Sequence, residues 1–131
     1  MPVQTRDQKY AISVYNKVSA MAKQDEKERN SYGSMAHQLP ILIRTAGLAQ
    51  ALAFVEAKST KQEGYKQLLE DLKDTVGSER TLAENAREAQ LSEYMLLTRL
   101  TLDALLWYKR FAQSVLGIDP GDETKNGAEI K

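Results

Sequence analysis

The 131-residue sequence has no cysteine, one histidine, three prolines and one tryptophan. Each scarcity excludes something. Without cysteine there is neither a disulfide framework nor thiolate chemistry. With His37 as the single imidazole, a multi-histidine metal site is out of reach. No apolar run approaches the roughly 18–20 residues of a membrane span. The N-terminus, MPVQTRDQKY, is polar and does not read as a signal peptide, so a soluble, cytoplasmic protein is expected. A charge of one sign is lacking too: 18 Lys and Arg balance 18 Asp and Glu. A nucleic-acid role would have to come from arrangement, not from bulk charge. A chain of this length is expected to form one domain and to bury a core without staples.

What is present is helix-forming material. Leu, Ala, Glu, Lys and Gln dominate, and no segment shows sustained β-branched alternation. The expected fold class is all-α: a single-domain bundle of five to six helices with a disordered C-terminal tail. The bundle should occupy residues 1–116 and the tail 117–131. Thr5-Arg6-Asp7-Gln8 fits a capping box and opens a first helix running to about Glu28. Tyr10, Val14, Val18, Met21 and Ala22 make its apolar face. Asn30 to Gly33 reads as a break, followed by a short helix from Ser34 to Leu39.

Pro40 reads as the first turn of a new helix, where its missing N–H is not needed. That helix should run to about Ser59, with Ile41, Leu48, Leu52 and Val55 on one side and Ile43, Gly47 and Phe54 on the other. Two apolar sides imply a central helix, and Gly47 would lie inside it, at a close approach to a neighbour. Gly64 marks a boundary before a helix from Tyr65 to Val76, which Gly77 ends. Ser78 reads as the next N-cap, before a polar helix from Thr81 to Glu88. A long last helix, Leu91 to Leu116, is apolar nearly all round and stops at Gly117.

Two patterns bear on function. On the first helix Arg6, Lys9, Lys17, Lys23 and Lys27 fall in one sector, with only small or uncharged residues between them. Such a stripe can track a phosphate backbone without reading bases. The alternative is a solvated helix face. On the last helix Trp107, Tyr108, Arg110 and Phe111 are candidates for a subunit interface, if the core leaves them uncovered. The alternative is ordinary core.

Catalytic signatures are absent. The glycines are too dispersed for a phosphate-binding loop. Arg29 and His37 invite comparison with the Arg-and-His motif of helical HEPN-type ribonucleases, but their spacing is longer. Asp71 and Asp74, beside Lys73, read as a solvated face. No enzyme activity, metal or cofactor is expected.

The segment Gln38-Leu39-Pro40-Ile41-Leu42-Ile43, followed by Ala46-Gly47-Leu48-Ala49-Gln50-Ala51-Leu52-Ala53-Phe54, resembles the small α-helical subunit of the type III-B CRISPR effector. That subunit is the fifth protein of the Cmr complex. Tyr32, the basic first helix, Glu93-Tyr94, Thr98 and Trp107-Tyr108-Lys109-Arg110-Phe111-Ala112 extend the resemblance over about residues 5 to 116. It implies a non-catalytic subunit that stacks in several copies beside the backbone subunits, along the groove where target RNA pairs with the CRISPR RNA. It adds Arg44 and Lys109 as weaker RNA-proximal candidates. The implied partners are other Cmr subunits, chiefly the backbone subunit and further copies of itself, and the guide–target duplex by non-specific backbone contact. A stand-alone helical adaptor that binds only protein is the rival reading.

Overall fold

The computed structural model describes residues 3–121. Among the described residues six helices form a bundle: α1 Arg6–Met21, α2 Glu26–Ala46, α3 Leu48–Ser59, α4 Glu63–Val76, α5 Leu82–Glu88 and α6 Leu91–Ser114. The all-α expectation holds. None of these helices is long and apolar enough to cross a membrane.

Helix α1 begins as expected. The Thr5 hydroxyl accepts from the Gln8 N–H at 3.0 Å, and the Gln8 side chain accepts from the Thr5 N–H at 2.8 Å. It stops at Met21, seven residues before the expected end at Glu28. Asp25 explains the stop: its carboxylate accepts from the Glu28 N–H at 2.9 Å and starts α2.

Helix α2 corrects three expectations. Residues 30–33 are not a break, 34–39 are not a separate helix, and Pro40 lies inside a continuous 21-residue helix. An interior proline costs about 3 kcal/mol through its missing donor and its ring. Tyr32, Met35, Leu39 and Ile43 are almost wholly buried along this helix. At about 1.5–3 kcal/mol per buried side chain, their packing outweighs the proline. The actual breaker is Gly47. Its φ of 90° and ψ of 160° end α2 and start α3, in a region only glycine occupies without strain. The expected wheel from Ile41 to Val55 therefore spans two helices. Leu48, Leu52 and Val55 are buried, whereas Ile41 is 63% exposed and Phe54 44%.

Helices α2 and α6 form the centre of the bundle, flanked by α1 and α4, with α3 and α5 over one side. Helix α6 runs alongside α1 in the same direction, since Asp7 meets Trp107 and Tyr15 meets Phe111. It runs against α2: Tyr32 meets Tyr108, while Tyr94 lies by Gly47. Gly77, in the left-handed region, caps α4 as expected. The N-cap of α5 is Thr81, not Ser78. The Ser78 hydroxyl instead donates to the Arg80 carbonyl and accepts from Asn85.

After α6 the packed chain runs on to Ile118, past the expected boundary at Leu116. Ile118 is 4% exposed, lies against Gly33, and its N–H donates to the Ala112 carbonyl at 2.9 Å. The rest of the expected tail, 122–131, lies outside the described residues.

Candidate nucleic-acid and subunit interface

The basic residues do not form one stripe on one helix. Arg6, Lys9 and Lys17 are on α1, Lys23 is in the turn after it, and Lys27 is in the first turn of α2. Two of the five are engaged by carboxylates from other helices. Arg6 pairs with Asp103 at 2.7 Å, and Lys17 pairs with Asp74 at 3.3 Å. Lys9, Lys23 and Lys27 are exposed, and among the described residues no carboxylate pairs with them. Arg44 is exposed, in the last turn of α2. Lys109 is half-buried.

The α6 candidates also divide. Tyr108 is wholly buried and joins no surface. Its hydroxyl is 2.8 Å from Thr75 Oγ1, which is 2.9 Å from Ser13 Oγ, a hydroxyl chain tying α6 to α4 and α1. Trp107 and Phe111 are half-buried and stacked at 5.6 Å, and Tyr15 meets Phe111 edge-on at 5.4 Å. Trp107 Nε1 donates to Asp7 at 2.9 Å, which holds the indole against α1. Arg110 is exposed. The apolar side chains most open on α6 lie elsewhere: Leu91, Met95, Leu96 and Leu106 are 48–74% exposed. The all-round apolar pattern of this helix points to a surplus, but not to which residues carry it.

The two carboxylates of α4 do not share one solvated face. Asp74 is exposed, but Asp71 is 7% exposed. Its oxygens accept from the Tyr32 hydroxyl at 2.6 Å and from Gln67 Nε2 at 2.8 Å. Burial pushes the Asp71 carboxyl up, against the opposing pull of those two hydrogen bonds. Burial likewise pushes the Tyr32 and Tyr108 phenols up, so both remain donors.

The pair compared with ribonucleases is not placed for acid–base work. His37 is 5% exposed and its Nε2 is 2.8 Å from the Ile118 carbonyl. Arg29 donates to the Gln24 carbonyl at 2.5 Å. Among the described residues, no three His, Asp or Glu side chains converge to hold a metal ion.

Fold and surface together define a small all-α helical bundle. The family described as CRISPR-associated protein (Cas_Cmr5) matches residues 6–115. The chain belongs to that family. The CRISPR system Cmr subunit Cmr5 of Thermus thermophilus is 46% identical over 116 residues, covering 87% of this chain and 98% of the relative. The X-ray structure of a CRISPR-associated Cmr5 family protein from the same organism superposes with a TM-score of 0.78 at 46% identity. It covers 86% of this chain and 98% of that one.

Proposed function

We propose that this protein is a non-catalytic structural subunit of a type III-B CRISPR complex in antiviral defence. It stacks beside the backbone subunits and lines the groove that holds CRISPR RNA and target RNA. The observation that carries the RNA part is that three of the five basic residues singled out at the start of the chain, Lys9, Lys23 and Lys27, are exposed and have no carboxylate partner among the described residues. They approach phosphates non-specifically, while base pairing to the guide supplies sequence. Arg6 and Lys17 contribute less, because each already has a carboxylate. Arg44 and Lys109 are secondary. Trp107, Phe111 and Arg110, with the open leucines and Met95 of α6, supply subunit contacts.

The test is size exclusion of the protein with guide-loaded backbone subunit, with and without target RNA. It is repeated with Lys9→Glu, Lys23→Glu and Lys27→Glu combined. Co-elution in several copies is expected. The triple variant should bind the guide–target complex more weakly and lower its log–log salt slope by about 2–3. Elution alone under all conditions overturns the assembly. Co-elution with an unchanged salt slope leaves a protein-only adaptor.

A further inference from the structure

Helix α6 carries the apolar surface that the bundle leaves open. Leu91 is 74% exposed, Met95 63% and Leu106 48%, and Leu102 between them is half-buried. On a wheel of 100° per residue these four fall within a sector of about 60°. Among the described residues, no other helix carries more than two large apolar side chains this exposed. A continuous apolar stripe of this kind marks a contact surface.

The stripe also indicates what covers it. Its steps are four, seven and four residues, a spacing that reads the same from either end. A second copy of α6 laid antiparallel on a two-fold axis beside Thr98 and Arg99 therefore matches it. Leu91 then faces Leu106 of the second copy, and Met95 faces Leu102. A parallel copy would set Arg110 against Arg110 and align the two helix dipoles. The antiparallel copy opposes the dipoles and puts the two Arg110 side chains more than about 30 Å apart. Arg99 lies at the edge of the sector, where its long stem keeps the guanidinium in water.

We propose that this face docks a second copy of the chain, as an antiparallel two-fold pair of α6 helices. The same surface serves both copies, so the contact closes at two, whereas stacking continues. The stripe spans only about 22 Å of helix, so the pair is a weak one at the small end of interface sizes. It needs neither RNA nor another Cmr subunit. Its failure would leave the proposed assembly standing, and failure of the assembly would leave the pair.

The test is sedimentation equilibrium of the free full chain between about 10 µM and 1 mM, a range suited to a weak interface. A concentration-dependent dimer is expected. Met95→Lys, at an exposed position that does not threaten the fold, should weaken it at least tenfold. The register is checked by cross-linking, since the chain has no cysteine of its own. Leu91→Cys mixed with Leu106→Cys should form a disulfide-linked dimer. Neither variant alone should do so, because like positions lie about 22 Å apart in the pair, beyond the reach of a disulfide. A monomer at every concentration would overturn the proposal. So would an unchanged dimer with Met95→Lys, or Leu91→Cys linking to itself as readily as to Leu106→Cys.

Discussion

An added methyl would meet different neighbours at Gly64 and at Gly33. A Cβ at Gly64 would sit 2.5 Å from the Glu28 carbonyl oxygen and 2.8 Å from the Tyr32 nitrogen. Those are backbone atoms of α2 and cannot step aside. A Cβ at Gly33 would meet Cδ1 of Ile118 at 2.5 Å, the far end of a flexible side chain that can rotate aside. Gly64→Ala should therefore destabilise by about 1–3 kcal/mol through overpacking. Gly33→Ala should cost less, because the Ile118 side chain it meets can turn away, whereas at Gly64 the helix-propensity gain of about 1 kcal/mol is set against fixed backbone. Urea midpoints of the two variants against the parent check the order, and a reversed order would refute it. The sequence marks Gly64 as a boundary and Gly33 as part of a break. It cannot show that both are close-contact positions, since that depends on α4 and Ile118 arriving from far along the chain. Asp71 is a similar case. Its charged neighbours read as solvent, and only the fold places Tyr32 and Gln67 against it.

At the scale of elements, many starts and stops are readable in the sequence: the Thr5 capping box, the Gly77 and Gly117 stops, the ends of α3 near Ser59 and of α5 at Glu88, and the approximate starts of α4, α5 and α6. The misses share a cause. Asp25 and Glu28 form a cap signal, but they sit in a Lys/Gln/Glu run that favours continuing the helix. Local preference makes Pro40 a start and Gly47 an interior residue, whereas long-range burial decides that the proline is carried and the glycine breaks. The break leaves α3 without a side-chain cap of its own. Tyr94 substitutes from another helix: the Ala49 N–H donates to its hydroxyl at 3.0 Å. Tyr94→Phe removes that acceptor and should cost about 1 kcal/mol, the usual loss for a helix cap. Amide exchange should rise first at Ala49 and its neighbours in α3. Faster exchange confined to α6 would show that the ring, not the hydroxyl, is what matters.

Across the whole molecule the helices are linked by side chains that cross between them, so they should melt together. Helix α1 buries Tyr10, Val14, Val18 and Met21. It is tied to α6 through Asp7–Trp107 and Arg6–Asp103, and to α4 through Ser13–Thr75 and Lys17–Asp74. The surface ion pairs contribute little, roughly 0–1 kcal/mol each. The apolar face contributes most, because each buried side chain stabilises by about 1.5–3 kcal/mol. Trp107, the single tryptophan, sits on the α1–α6 seam and reports that contact alone, whereas far-UV circular dichroism reports all six helices. In urea the two signals should give one midpoint, as for a two-state domain. Val14→Ala, which opens a cavity at a wholly buried position in α1, should move both midpoints down together. An indole transition that precedes the loss of helix would mean that α1 detaches first. The α1–α6 seam would then be a movable surface rather than part of one rigid bundle.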